Sequence, residues 1–308
     1  MKRRGQDGPP RVLVLNKPVG PTSFDMVRSV RRCTGYRKVG HAGTLDPFAS
    51  GVLILGLGSA TRLLRFAGEG EKIYRLTVEF GRGTDSHDST GKTTAEASVD
   101  FSEQALRDAI GSFCGTIAQR PPRLSAIHVD GKRAYELERR GELLADLAPR
   151  EIHIDSIELL AFEAPRAVLR VRCGGGSYMR ALARDLGESL GYPAHAAELV
   201  REAIGRFGLE MAHGPDELET AAQWSALTLG PGELFAGLPR VVMSDEDCAL
   251  VRQGRQPTED WLLAGGADLA RGRVVLLDAA EQLVALAETA EGRWRLEFVL
   301  PETAHATG

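Results

Sequence analysis

An uninterrupted apolar run at residues 52–55, Val-Leu-Ile-Leu, constrains the fold of this chain more than any other feature. Glycines bound the run on both sides, which is the pattern of a short strand. Residues 73–80 alternate between apolar and polar, and residues 150–172 contain two further alternating strands. Segments 22–35 and 102–113 have helical periodicity and good N-caps. We therefore expect strands mixed with amphipathic helices.

A single carboxylate, Asp46, lies in the loop of small residues that precedes the apolar run. Leu45 and Phe48 are expected to hold the turn against a core, while Gly51 and its small neighbours let another molecule approach the backbone. Such a loop would present a nucleophile or a general base. The alternative is that Asp46-Pro47 only begins a turn, with the carboxylate capping nearby N–H groups.

The composition predicts a globular protein in the cytoplasm. The 308 residues, 43% apolar and 26% charged, are enough for a large domain and a smaller second one. No apolar run approaches membrane-spanning length, and the first ten residues lack the apolar segment of a signal peptide. The four cysteines are far apart in sequence, which favours buried free thiols over disulfides or a zinc site. They are Cys33, Cys114, Cys173 and Cys248.

The net charge of −4 hides an uneven distribution of charged residues. Residues 1–75 contain 14 Lys and Arg against 5 Asp and Glu, whereas the rest of the chain contains 24 against 37. A basic segment on an otherwise acidic protein is typical of a surface that binds phosphates. The alternative is that arginine is simply scattered over the surface, but this does not explain where the arginines lie.

Two basic regions are candidates for contacting a nucleic-acid backbone. The first predicted helix carries three arginines on one face, which are Arg28, Arg31 and Arg32. Lys38 follows this helix and leads toward the carboxylate loop. Residues 119–141 hold a second cluster, which includes Arg133 and an aromatic residue. The alternative for the helix is an ordinary solvated face, and two glutamates weaken the case for the second cluster.

A glycine-rich stretch at residues 173–178 precedes another predicted helix. Ser177 is its candidate N-cap, and Arg180 lies in its first turn. Backbone N–H groups and a guanidinium would then converge near one point, which suits an anion or a catalytic carboxylate. A surface pair of Arg180 and Arg184, four residues apart, is the alternative.

Four blocks of residues, taken in order, resemble the tRNA pseudouridine-55 synthases of the TruB family. The blocks are Lys17-Pro18 with Thr22-Ser23, residues 40–51, Tyr74 in Lys-Ile-Tyr-Arg, and residues 176–180 with Asp185-Leu186-Gly187. The resemblance covers nearly the whole chain. It implies an α+β fold in which helices flank a central mixed, mostly antiparallel sheet, followed by a small C-terminal PUA-like β-barrel. It also implies a catalytic domain at 1–237, with a tRNA-gripping lobe at about 119–150, and an RNA-binding domain at 238–308.

The same resemblance implies a role for each site residue. Asp46 is the catalytic nucleophile, Arg180 pairs with it, and Tyr74 stacks on a flipped uracil and later serves as a base. The other substrate contacts are His41, which fills the space left by the flipped nucleotide, and Tyr178, Leu199 and Lys17. No cofactor or metal is expected. The partner is tRNA through its T-arm, and the enzyme is expected to be a monomer that needs no protein partner and no membrane.

Three departures from the family pattern concern the grip on tRNA. Gly174-Gly175 replaces a Ser-Lys pair and so removes a lysine near the site, Leu124 replaces an aromatic residue, and His128 replaces a lysine. Two other functions remain open: an RNA-guided synthase of the dyskerin type, whose gripping lobe is reduced, and a non-catalytic tRNA-binding protein. A nucleotide-cofactor enzyme that uses the glycines at 56–58 is the weakest alternative, because the third glycine of that motif is missing.

Overall fold

The computed structural model describes residues 8–125, 128–129, 132–133, 147–264, 272–290 and 293–301. The strands are β1 (Arg11–Lys17), β2 (Val39–His41), β3 (Ser50–Leu57), β4 (Lys72–Phe80), β5 (Arg82–Thr84), β6 (Thr93–Glu96), β7 (Gly115–Gln119), β8 (His128–Val129), β9 (Lys132–Arg133), β10 (Arg150–Glu163), β11 (Arg166–Cys173), β12 (Ala194–Ile204), β13 (Phe207–Gly208), β14 (Arg240–Val242), β15 (Arg273–Leu277), β16 (Leu283–Ala290) and β17 (Arg293–Val299). The α-helices are α1 (Ser23–Thr34), α2 (Leu64–Glu69), α3 (Glu103–Gly111), α4 (Met179–Leu190), α5 (Pro215–Thr220), α6 (Asp245–Arg252) and α7 (Glu259–Ala264).

One large mixed sheet organises the N-terminal part, with strand order β1-β3-β12-β4-β11-β10-β7. Strands β2 and β13 add to β3 and β12 outside this path. Among the described strands of this sheet, the β3–β12 pair alone is parallel, and its register places Ser50 beside Val200 and Gly51 beside Arg201. The apolar run at 52–55 lies in β3, which is buried between β1 and β12. The expected mixed, mostly antiparallel sheet is confirmed.

Strand β4 lies next to β12 near the middle of this sheet. Its alternating side chains Tyr74, Leu76, Val78 and Phe80 are all buried in the largest core cluster, as the sequence pattern predicted. The antiparallel pairing of β4 with β12 brings Tyr74 opposite Arg201. At this end of the two strands, the core therefore contains two neighbouring residues with polar groups, Tyr74 and the buried Arg201.

Helix α1 begins and ends where the sequence predicted. Thr22 is its N-cap in a capping box, and Gly35 ends it with a φ of 75°, in the left-handed region. Phe24 is apolar, but it is exposed and lies against the Arg28 guanidinium. The buried face consists of Met26, Val27 and Val30.

Helix α4 begins one residue later than predicted. Tyr178 is its N-cap, whereas Ser177 donates its hydroxyl to the carbonyl of Gly174 at 3.3 Å, so the N-cap prediction was wrong. The buried side chain of Gln119, at the end of β7, fixes the Tyr178 backbone. It accepts from the Tyr178 N–H at 2.8 Å and donates to the Tyr178 carbonyl at 3.2 Å. Gln119 therefore holds the residue at which α4 begins, although no cap hydrogen bond from the Tyr178 side chain is present.

A separate four-stranded sheet forms the C-terminal part, in the order β14-β15-β16-β17. The expected barrel is not closed: within the described residues, β14 and β17 each pair with one neighbour. Strand β14 has three residues, and helices α6 and α7 cover a face of the sheet instead. The sheet packs against the N-terminal part through Leu63 and Phe235, which contact Val275 and Phe298.

Three expectations from the composition can be compared with this fold. All four cysteines are free thiols, but the expectation that they are buried holds for Cys173 and Cys248 and is wrong for the exposed Cys114 and the partly exposed Cys33. Across the ranges that the structure describes, no helix is both long enough and apolar enough to cross a membrane. The same ranges contain no group of three His, Cys, Asp or Glu side chains placed to hold a metal ion.

Candidate active site

The loop between β2 and β3 holds Asp46 in a fixed position. Ser23, at the start of α1, donates its hydroxyl to the Leu45 carbonyl at 3.0 Å and accepts from the Leu45 N–H at 2.9 Å. Leu45 and Phe48 are buried in the core, as the sequence predicted, while the Asp46 side chain remains 33% exposed. The loop thus presents one carboxylate from a rigid support.

Arg180 forms an ion pair with Asp46, and it lies within the protein rather than on its surface. Its Nε donates to Asp46 Oδ2 at 2.8 Å, although 134 residues separate the two in sequence. Its Nη1 and Nη2 donate to the carbonyls of Ser86 and Leu124, each at 2.9 Å. The buried Asp88 lies 3.6 Å from Nη1. The surface-pair alternative for Arg180 is therefore wrong, since each of the three guanidinium nitrogens donates to an acceptor inside the site.

A cavity of about 340 Å³ adjoins the Asp46–Arg180 pair. Its walls include the three predicted substrate contacts Tyr74, Tyr178 and Leu199. Burial raises the pKa of both tyrosines above the usual value, so both phenols are neutral near pH 7. The structure thus brings five of the predicted site residues together around one cavity of ligand-binding size.

Arg201 is a site residue that the sequence analysis did not identify. It is fully buried on β12, and it donates to the carbonyls of Val52 at 2.7 Å and of Gly43 and Thr44 at 3.3 Å each. Its positive charge also lies near the phenol of Tyr74, where it opposes the effect of burial on the pKa of that tyrosine. Arg201 therefore joins the carboxylate loop to the strand that carries Tyr74. No pattern within β12 singles Arg201 out, because His195, Glu198 and Glu202 on the same strand are also polar.

Lys17 and His41 lie near this loop but are not among the residues that line the cavity. Lys17 is buried and donates to the carbonyls of Pro18 and Pro21, each at 2.8 Å. Burial lowers its pKa to about 8, and the nearby Asp46 charge partly offsets this effect. His41 ends β2 and is half-buried; burial lowers its pKa below the usual value, so it is neutral near pH 7.

The basic face of α1 is exposed, but acidic neighbours occupy part of it. Arg28 pairs with Asp25, and Arg32 pairs with Glu219 at 3.0 Å. Arg31 donates to the carbonyl of Val39 at 3.1 Å. The exposed Lys38 follows the helix. The arginines do lie on one surface, as predicted, although two of them are ion-paired.

Most of the predicted tRNA-gripping lobe lies outside the described residues. Strands β8 and β9 form a short antiparallel pair in which His128 lies opposite Arg133. The Arg133 side chain and the aromatic residue expected in this cluster fall outside what the structure describes. The prediction that Arg133 contacts the RNA backbone therefore stays a prediction.

Two solved structures resemble this fold over most of its length. One is an H/ACA RNP bound to a substrate RNA containing 2′-deoxyuridine; the TM-score is 0.70 at 25% identity, covering 94% of this chain and 85% of that one. The other is a Cbf5-Nop10-Gar1 complex, with a TM-score of 0.70 at 25% identity and coverages of 94% and 84%. The α+β class and the arrangement of a mixed sheet with helices are thus shared with known proteins.

Sequence comparison gives a more specific result. The model for the TruB family pseudouridylate synthase (N terminal domain) matches residues 31–179. The tRNA pseudouridine synthase B of Solibacter usitatus is 43% identical over 248 residues, covering 79% of this chain and 84% of that protein. The tRNA pseudouridine synthase B of Thiobacillus denitrificans is 39% identical over 293 residues, covering 94% and 95%. This chain belongs to the TruB family of pseudouridylate synthases.

Proposed function

We propose that this protein isomerises a uridine to pseudouridine at position 55, in the T-arm loop of tRNA, with Asp46 as its catalytic residue. The observation that carries this proposal is the Asp46–Arg180 ion pair, 2.8 Å long, beside a cavity walled by Tyr74 and Tyr178. Relatives of the same family, similar over most of their length, are named tRNA pseudouridine synthase B.

The chemistry requires one well-placed carboxylate. The C1′–N1 bond of uridine breaks, a C1′–C5 bond forms, N1 gains a proton and C5 loses one, so the reaction has no net redox change. Attack at C1′, addition at C6 and removal of the 2′ proton are three routes, and a carboxylate beside the flipped nucleotide serves each of them. Arg180 orients Asp46 for this task, because the guanidinium is itself fixed by the Ser86 and Leu124 carbonyls.

The target base has to leave the RNA stack to reach Asp46. In this proposal Tyr74 stacks on the flipped uracil, while Tyr178 and Leu199 line the pocket around it. The later role of Tyr74 as a base requires the phenolate form, which the nearby Arg201 charge favours. His41, which is neutral and half-buried at the end of β2, occupies the space that the base vacates. Lys17 contributes a positive charge near the carboxylate loop, where its ammonium lies close enough to interact electrostatically with Asp46.

The alternatives are weaker on particular grounds. An RNA-guided synthase fits the similarity to a chain of an H/ACA RNP, but that identity is 25%, compared with 39% to 43% for the tRNA synthases. A non-catalytic tRNA-binding protein needs neither an isolated carboxylate nor a buried arginine aimed at it. We further propose a monomer that acts in the cytoplasm without a protein partner, with a catalytic domain at 1–237, a gripping lobe near 119–150 and an RNA-binding domain at 238–308.

Tritium release from a tRNA transcript that contains 5-tritiated uridine tests this function, because the C5 proton leaves during the reaction. We expect release that saturates at the label of one uridine per tRNA, and no release when uridine 55 is replaced by cytidine. Equal release from both transcripts would exclude position 55 as the target, and absence of release from either would exclude the activity.

The basic face of α1 gives a separate prediction about binding. Replacing both Arg28 and Arg32 with glutamate should weaken tRNA binding. It should also make the plot of log affinity against log salt shallower by about 0.9 for each phosphate that the protein no longer neutralises. The measurement is a fluorescence titration at several salt concentrations. The control replaces Arg107 and Arg166, which are also exposed and ion-paired, with glutamate. An equal weakening in both double variants would mean that this face has no special role.

A further inference from the structure

A second buried cation, Lys72, lines the cavity together with Asp46. Lys72 begins β4, two residues before Tyr74, and is 8% exposed. Its ammonium donates to the carbonyl of Gly68 at 2.8 Å and approaches that of Gly70 at 3.4 Å. An ammonium has three N–H groups, so one remains for another acceptor. The reaction proposed above gives this cation no role.

The charges around the cavity do not balance. Three of its lining side chains are cationic, Lys72, Arg180 and Arg201, while Asp46 is the one carboxylate among the described residues that line it. The carboxylates of Asp46 and Asp88 balance the positive charge of Arg180. Lys72 has uncharged backbone partners, and burial together with the Arg201 charge lowers its pKa. A buried cation without an anion is costly, so this part of the cavity would favour an anionic group.

The backbone next to Lys72 leaves room for such a group. Gly175 and Gly176 line the same cavity, and a Cβ at Gly175 would lie 3.5 Å from the Lys72 Nζ. Gly176 has a φ of 87°, a conformation that favours glycine. Neither glycine carries a side chain that could cover the Lys72 ammonium from this side of the cavity. A negatively charged oxygen can therefore approach the ammonium and the turn.

We infer that Lys72 and the Gly175–Gly176 turn form a binding subsite for an RNA phosphodiester, namely one of the two that flank the flipped nucleotide. This inference rests on the proposed function, in which a nucleotide enters the cavity. Uracil and ribose carry no negative charge, whereas a nucleotide that leaves the stack brings its flanking phosphates with it. The phosphate completes the set of acceptors around the Lys72 ammonium and neutralises its charge.

Chemical removal of single phosphate charges tests the subsite. The ligand is a T-arm stem-loop RNA with a neutral methylphosphonate at the linkage on the 5′ side or the 3′ side of the target uridine. Binding is measured by fluorescence anisotropy in the Asp46→Asn background, so that no turnover occurs. We expect one of the two modifications to weaken binding roughly 10- to 100-fold when Lys72 is present. In the Lys72→Met variant, the same modification should weaken binding by less than about 3-fold.

Two further variants separate this subsite from general electrostatics and from misfolding. Lys72→Arg keeps the positive charge, so in this variant the methylphosphonate should still cause most of the loss of affinity that it causes when Lys72 is present. Arg75→Met removes an exposed cation from the same strand and should leave the penalty unchanged. Equal penalties with and without Lys72, or no penalty at either linkage in the protein that retains Lys72, would overturn the inference. Tritium release by the unmodified enzyme is scored separately, so loss of the proposed activity is distinguishable from loss of the subsite.

Discussion

Replacing Asp46 with asparagine should lower the rate of tritium release from tRNA by on the order of 10⁴-fold or more, the scale seen when a catalytic unit loses a central member. The amide has nearly the same shape and can still accept a hydrogen bond from Arg180 Nε, which Asp46 now accepts at 2.8 Å. It cannot attack C1′, add at C6 or remove a proton. The affinity for tRNA should change by less than about 3-fold, because the binding surface is intact.

The measurement compares single-turnover tritium release with anisotropy binding for the same preparations. Asp108→Asn is the matched control, since Asp108 is an exposed aspartate on α3 that accepts a hydrogen bond from Gln104 at 2.8 Å. Asp46→Ala should be equally inactive, which guards against slow hydrolysis of asparagine back to aspartate. Normal release by both Asp46 variants would remove this residue from the mechanism and leave a tRNA-binding protein as the better description.

Local signals in the sequence predicted the elements that carry the site. The capping box at Thr22 and the glycine at position 35 define α1 through bonds within a few residues, so they could be identified without knowing the fold. The alternation in β4 predicted a buried face that includes Tyr74 for the same reason. The turn at Asp46 was also predicted, because Leu45 and Phe48 mark the side that faces the core.

Some residues have roles that depend on which strands are neighbours in the sheet, and these roles could not be predicted from local sequence patterns. Arg201 acts on the carboxylate loop because β12 pairs in parallel with β3. The amino-acid sequence alone does not show that these two strands are neighbours. Asp88 lies in a segment that looks like an ordinary polar loop, but it is buried beside Arg180. Lys72 is different, since it shares the face of Tyr74 by alternation, and that signal was available. The C-terminal barrel was inferred by resemblance, and an open sheet was found.

Arg180→Met should reduce both catalysis and stability, since Arg180 holds several groups at once. Its guanidinium, 5% exposed, contacts Asp46, Asp88 and two carbonyls. A methionine keeps the unbranched apolar part of the side chain but leaves Asp88 as a buried carboxylate without its cation, and breaking a buried pair in this way costs about 3–5 kcal/mol of unfolding free energy. Without its orienting partner, Asp46 should also react at least about 100-fold more slowly. Urea unfolding and single-turnover tritium release measure the two effects.

A comparison with Arg180→Lys separates charge from geometry. One ammonium cannot reach Asp46 and both carbonyls together, so this variant should recover part of the stability and little of the rate. Arg184→Met is the matched control: Arg184 lies one turn further along α4, where it pairs with Asp185 and donates to the Arg120 carbonyl. In the background of Asp46→Asn, Arg180→Met should cause almost no further loss of rate, because the carboxylate that it orients is gone. A further loss as large as in the parent enzyme would mean that Arg180 acts on the substrate directly, independently of Asp46.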